Sequence, residues 1–233
     1  MMEIFRVPHP SSARLPDAAE APRPASAVVA DALRRQILRG ALPEGERLRQ
    51  DAVAIRFGVS QMIAREAFRQ LVAEGVLTAE ARRGVSVAHM NPEEAWETTQ
   101  LRSLIEAQAL EWAIPLMTKA DLAMAERSLG ELDTARSTDR IIALNARFHE
   151  ALYAPARRER TLAMIATLRI NFERYLRFTW DETEHLEQSQ QEHRAILDAC
   201  RLRDAAQACA LLKQHVRATG DLLVQRLRAR RAG

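Results

Sequence analysis

From Asn91 to the C-terminus no stretch of this chain alternates apolar and polar residues with the two-residue period of a strand. A long segment of that kind can bury its apolar stripes only by packing helix on helix. The pattern therefore predicts an all-α antiparallel helical bundle over residues 91–233. Six helices are expected: about 93–117 with Pro92 in its first turn and Pro115 near its end, one starting in capping-box style at Thr118 and Asp121, then 138–153, 156–178, 182–200 and 204–228. Turn-forming residues separate the last five, at 137–139, at Ala154-Pro155, at 179–181 and at 201–204.

The first 90 residues read differently. Residues 1–24 hold five of the nine prolines and cannot bury a core, so a disordered N-terminal arm is expected there. Order is expected from residue 25. Ser26 is placed to cap a helix whose apolar positions Val29, Leu33 and Ile37 recur every four residues until Gly40, and Pro43 and Gly45 then make a turn. A short helix over 50–57 stops at Gly58, and Ser60 can cap a third helix running to 74. Two β-prone runs follow, 76–80 and 85–88, joined by Arg82-Arg83-Gly84. Two short helices about a Gly-containing turn, followed by a hairpin with a basic tip, make a winged helix-turn-helix over residues 25–90. A generic helix pair and hairpin has the same outline, so charge has to arbitrate.

Charge is localised. Residues 25–90 carry ten arginines against seven acids, whereas 1–24 carry three of each sign and 91–233 carry 21 of each, so the whole net charge of +3 lies in the winged segment. That is the footprint of a phosphate-contacting module, though a weak field by itself. Cys200 and Cys209 match neither a redox nor a zinc-ribbon spacing and read as small buried hydrophobes of a reducing compartment. No run of about 18 apolar residues and no apolar leader is present, so a cytoplasmic protein without a membrane span is expected.

Residues 29–88, from Val29-Ala-Asp-Ala-Leu through LPEGERL, GVS, AREAF and RRGVSVA, resemble the DNA-binding domain of the GntR family of transcription regulators. The segments RSLIEAQAL, NARFHEALY, EHRAIL and LLKQHV resemble the six-helix sensor domain of that family's FadR branch. The resemblance implies a mainly α protein that binds double-stranded operator DNA as a homodimer and responds to a small organic acid. After Gly-Val-Ser, family members usually continue Arg-Thr-Pro-Val-Arg-Glu-Ala-Leu. Here Gln61, Met62, Ile63 and Ala64 precede Arg65, and Gln61 favours the N6/N7 edge of adenine. Arg65 is the foremost candidate for DNA contact. Arg49, Arg69, Arg82 and Arg83 are candidate phosphate or minor-groove contacts, and Ser60 and Gly84 complete the set. Each arginine taken singly reads equally well as a solvated surface residue.

Asn145 and His149 are four apart and share a helix face with Leu152, while His193 falls in register with Ile196 and Leu197, and His215 with Leu211 and Leu222. For any one of them a core histidine held by a neighbour is the plainer account. Three imidazoles in one bundle leave many nitrogens to satisfy, and a divalent cation accepts all three as neutral ligands. The resemblance implies the same set, since that branch places Asp or Asn plus three histidines at these positions. A divalent transition metal, zinc, nickel or similar, is thus expected on Asn145, His149, His193 and His215. Arg102 and Glu106 are four apart on the first bundle helix. They read either as a surface ion pair or, by resemblance, as residues facing the cavity, with Arg102 holding an effector carboxylate.

The rival reading is a metal-dependent hydrolase. His149-Glu150 could begin an HExxH motif, but Tyr153 stands where the second histidine belongs. No nucleophile signature accompanies it, and a hydrolase has no use for the winged segment. The sequence thus points to a regulator rather than an enzyme, and a nonspecific backbone binder would gain nothing from a charge-neutral bundle.

Overall fold

The computed structural model describes residues 23–80, 84–179 and 183–232, with side chains left undescribed at 171, 174–179, 183–185 and 232. The expected arm lies almost wholly outside the described residues, as do Arg82 and Arg83 at the wing tip.

The head begins with α1 (Ala25–Leu38), whose buried stripe is Val29, Ala30, Leu33 and Ile37. Its N-cap is Pro24 rather than Ser26: the Pro24 carbonyl accepts from Ala27 and Val28, and the fixed φ of proline suits the entry to a helix. After α2 (Gln50–Phe57), Gly58 adopts a φ of +64°, which ends the helix cheaply only for glycine. Ser60 then caps α3 (Gln61–Ala73), its Oγ accepting from the Ile63 amide at 3.3 Å. The hairpin strands are β2 (Leu77–Glu80) and β3 (Gly84–Val87). A strand that the sequence pattern did not reveal, β1 (Arg47–Leu48), adds to the far edge of β3, so the sheet runs β1-β3-β2 and is antiparallel throughout. Two residues carry no readable periodicity; Leu48 pairs with Val85 and Arg47 with Ser86 because the preceding turn returns the chain to the wing. The core of the head joins Leu33, Phe68, Leu71, Leu77 and Val87.

The bundle contains α4 (Pro92–Ala113), α5 (Lys119–Thr134), α6 (Thr138–Tyr153), α7 (Glu159–Thr179), α8 (Thr183–Arg201) and α9 (Ala205–Ala232). Asn91 caps α4, with Pro92 at its first position, and Thr118 and Asp121 form the reciprocal capping box of α5. Contrary to the expected continuation to 117, α4 ends at Ala113 and tightens into a 3-10 turn over Ile114–Leu116, because Pro115 brings no N–H to extend the helix. Pro155 likewise sits in a 3-10 turn (Ala154–Ala156), which delays α7 to Glu159. The Arg203 guanidinium donates to the carbonyls of Ile114 and Met117, satisfying acceptors at this irregular end. Cys200 is fully buried, and burial, then Cys209, push its thiol up to about 12, which keeps it an inert packing group. No described helix is long and apolar enough to cross a membrane.

Helices α4 and α9 form the most extensive pair, and glycine permits their approach. A Cβ on Gly220 would lie 2.2 Å from Thr99 Oγ1, and Thr99 is itself held by its hydrogen bond to the Ala95 carbonyl at 2.8 Å. Gly220→Ala is therefore expected to destabilise the protein by about 1–3 kcal/mol despite the better helix propensity of alanine, with part of the loss recovered by adding Thr99→Ala. Urea unfolding of the three proteins checks this; a G220A protein as stable as the parent would show that the contact relaxes freely.

Candidate functional sites

Three helices converge on one buried polar cluster. His149 from α6, His193 from α8 and His215 from α9 are 1%, 1% and 5% exposed, and one ring nitrogen of each lies within 4.8 Å of the others. Asn145, one turn before His149, is buried on the same side and lines the same cavity.

Acceptor chemistry fixes the proton on each ring. His215 Nδ1 lies 2.7 Å from Glu192 Oε2, and a carboxylate can only accept, so Nδ1 carries the hydrogen. Gln190 Nε2 donates to Asp133 Oδ1 at 2.9 Å, which leaves Gln190 Oε1 as the group 3.0 Å from His193 Nδ1. His193 therefore donates as well. Tyr153 donates its one hydroxyl hydrogen to Glu106 Oε2 at 2.7 Å, so its oxygen accepts from His149 Nδ1 at 3.0 Å. In neutral rings all three Nε2 atoms are thereby left as lone pairs. Those of His193 and His215 face each other at 3.1 Å; two neutral rings so held have no hydrogen to share, an arrangement that a shared cation relieves. The donor set is neutral, nitrogen-rich and held from behind, which fits a divalent transition metal. Burial, followed by the Arg169 charge, drives His149 well below its ordinary pKa; burial and then His215 do the same to His193. Both stay neutral, as metal ligation requires.

Arg102 and Glu106 are not a surface pair. They are 5% and 0% exposed, with Arg102 Nε donating to Glu106 Oε1 at 2.6 Å and the guanidinium lying 4.3 Å from the centre of the Phe172 ring. Glu106 does not line the cavity; it stands behind Arg102, which does. Burial raises the Glu106 carboxyl, but the Arg102 and Arg169 charges outweigh it and the net direction is down. Arg169 Nη1 is 4.0 Å from Glu106 Oε2 and, although buried, has no hydrogen-bond partner among the described residues. The cavity enclosed by Arg102, Asn145, His149, Arg169 and His215 has a volume of about 20 Å³, room for a single water or ion.

On the head, Gln61, Met62, Arg65, Glu66 and Arg69 form the solvent-facing stripe of α3, while Ala64, Ala67 and Phe68 face the core. Arg69 pairs with Glu66 at 3.3 Å. Arg49, at the N-cap of α2, forms two hydrogen bonds to Asp51, whose carboxyl is held down to about 2 chiefly by that contact. Arg47, Arg49, Gln61 and Gly84 line one open groove between α2, α3 and the wing.

Residues 25–87 match the family described as bacterial regulatory proteins, gntR family, and residues 97–218 match the FCD domain, which is more than half of the chain. The chain belongs to the GntR family. The regulator is 31% identical to the galactonate operon transcriptional repressor of Escherichia coli, over 77% of this chain and 89% of that one. It is also 31% identical to the uncharacterized HTH-type transcriptional regulator YdhC of Bacillus subtilis, over 79% and 82%. Among solved structures it resembles a GntR-family transcriptional regulator from Pseudomonas syringae pv. tomato, with 33% identity, 88% of each chain covered and a TM-score of 0.54. At 23% identity, McbR/YncC of Escherichia coli shares the fold, with a TM-score of 0.74 over 87% of this chain and 98% of that one. The regulator is thus a DNA-binding transcription factor with a winged head and an FCD bundle, and its relatives are regulators rather than enzymes.

Sequence reasoning missed Tyr153, Arg169, Gln190 and Glu192. Tyr153 and Gln190 stand four and three residues from histidines on their own helices, a spacing that marks them as neighbours. Glu192 reaches a histidine of another helix and Arg169 reaches Glu106 on α4, so neither of those contacts left a local signature.

Neutral buried histidines set the direction of acid sensitivity. Their pKa is depressed in the folded state, so below about 6.5 the unfolded chain binds more protons and stability falls. The urea midpoint of metal-stripped protein is expected to drop between about pH 7 and 5, before the carboxylates titrate, and His149→Gln should shallow that drop. A midpoint flat across this range would contradict the neutral assignment.

Proposed function

We propose that the regulator is a homodimer whose operator binding is modulated by a small organic acid, bound in the bundle beside a divalent transition metal held by Asn145, His149, His193 and His215. One observation carries the metal and effector half: three histidines with every Nδ1 hydrogen committed elsewhere and every Nε2 lone pair turned inward. A metal there supplies a Lewis-acidic point for a carboxylate oxygen. Arg102 supplies the opposing charge, since Nε is spent on Glu106 while its two terminal nitrogens make no hydrogen bond among the described residues. The relative named for the galactonate operon, the operon of a sugar acid, is consistent with this class of effector.

The homodimer rests on an apolar surface. Leu101, Leu104 and Trp112 lie along one side of α4 and Met164 on the adjoining side of α7, and they are 47%, 60%, 40% and 58% exposed in the single chain. A second copy covers such a stripe on two long helices about a two-fold axis, and places two copies of α3 at half-sites about one turn of DNA apart. In this reading Arg65 and Gln61 face base edges, Arg49, Arg69, Arg82 and Arg83 face phosphates, and Ser60 and Gly84 shape the ends of α3 and the wing.

Fluorescence anisotropy with the region upstream of the regulator's own gene tests the DNA half. Arg65→Ala is expected to weaken binding by at least tenfold, and Arg69→Ala to reduce the salt slope by about one. A Leu104→Glu protein should sediment as a monomer. For the effector half, thermal shifts are measured with small carboxylates on zinc-loaded and metal-stripped protein. A ligand at 100 times its Kd adds about 2.7 kcal/mol, visible as a higher Tm. Equal shifts with and without metal, or in His149→Ala, would refute the metal-linked site.

A further inference from the structure

The histidine chamber holds an ion or a water but not the carbon skeleton of an acid. A larger space adjoins it. Between α6 and α7 lies a cleft of about 260 Å³, close to the lower end of small-molecule sites, and Arg169 and Glu173 border both it and the chamber. Its walls are otherwise mostly apolar: Ala146 and Ala154 on one side, Leu162, Ile165, Ala166 and Ile170 on the other.

We propose that this cleft is the second half of the effector site, and that it takes the apolar body of a monocarboxylic acid whose carboxylate sits at Arg169. The inference rests on the acid-effector reading above and specifies what kind of acid is bound and where its carbon skeleton lies. Arg169 Nη1 is the group that calls for an acceptor: it is buried, lacks a hydrogen-bond partner, and has Glu106 no nearer than 4.0 Å. A ligand carboxylate completes it with a charge-assisted hydrogen bond. The acid on the cleft wall away from the chamber, Glu150, selects the class. It repels a second carboxylate at the far end of the ligand, so a monoacid with an uncharged apolar body is preferred over a diacid.

The position of the cleft also gives its occupant a route to the head. Ile170 lines the cleft and at the same time packs against the hydrophobic core of the head, where α1 meets α7. A ligand that fills the cleft therefore touches a side chain that the head also touches.

The test is titration calorimetry of the full-length, zinc-loaded protein with acetate, butyrate, hexanoate and benzoate. Affinity is expected to rise from acetate to hexanoate by about fourfold per buried methylene, with benzoate well above acetate. Ala166→Phe, on the exposed side of α7, fills the cleft; it should abolish the gradient, so that hexanoate and benzoate bind no better than acetate. Arg169→Gln should weaken every acid by at least tenfold. Equal affinity across the series, or a gradient that survives A166F, overturns the cleft and leaves the acid reading standing. Acids that bind at no chain length overturn the cleft, and the acid reading falls with it only if no small carboxylate shifts the Tm of the zinc-loaded protein either.

Discussion

A carboxylate with no exposed surface has to find its compensation inside the protein, and the needs of Glu106 organise three helices. Arg102 answers it from its own helix, Tyr153 from the end of α6 and Arg169 from α7. Breaking a buried ion pair by deleting one partner generally costs about 3–5 kcal/mol, so these positions are coupled in stability as well as in space. The consequence reaches the histidines. Because Glu106 takes the Tyr153 hydrogen, Tyr153 must accept from His149, and the lone pair of that imidazole is turned toward His193 and His215. A charge on α4 thereby decides where the proton sits on a ring of α6. The Tyr153 hydrogen is secure in this role, since burial, then Glu106, push its phenol well above the ordinary range.

What could be read from the sequence is what local chemistry determines. The Ser60 cap, the left-handed turn at Gly58, the capping box at Thr118 and the hairpin strands each depend on residues a few positions apart. The six bundle helices were legible for the same reason, and so was the inward side of His149, His193 and His215. The errors are local contests narrowly decided: Pro24 over Ser26 as the start of α1, and the missing N–H of Pro115 against the helical pattern around it. Contacts between helices left no trace. Nothing near Gly220 announces Thr99, and nothing near His215 announces Glu192.

Arg102 and Glu106 show where periodicity runs out. A spacing of four residues says that two side chains share a face, not whether that face is turned inward. The decision is made by α7, which brings Phe172 over the Arg102 guanidinium and Arg169 toward Glu106. Without those two side chains the same pair would be an exposed i, i+4 bridge worth a few tenths of a kcal/mol. The difference between an unremarkable surface pair and the wall of a cavity thus lies some seventy residues further along the chain.

Magnitudes also sort the contacts between head and bundle. Arg39 meets Asp139 at 2.9 Å and Arg230 meets Glu44 at 3.2 Å, but Arg39, Asp139 and Arg230 are each more than 40% exposed, so such pairs contribute at most about 1 kcal/mol and weaken with salt. They can orient the head without fixing it. The apolar contact of Ile170 with the head core is of another kind, since burial of aliphatic surface is insensitive to salt and scales with the area covered. Successive residues on a helix point about 100° apart, so Arg169 can border the chamber while Ile170 reaches the head. Coupling between sites is commonly about 1–3 kcal/mol. One aliphatic side chain shared between a ligand cleft and the head core is of that order. Under the effector reading, a single turn of α7 is therefore enough to let the state of the bundle bias the placement of α3, with no rearrangement of the buried charges around Glu106.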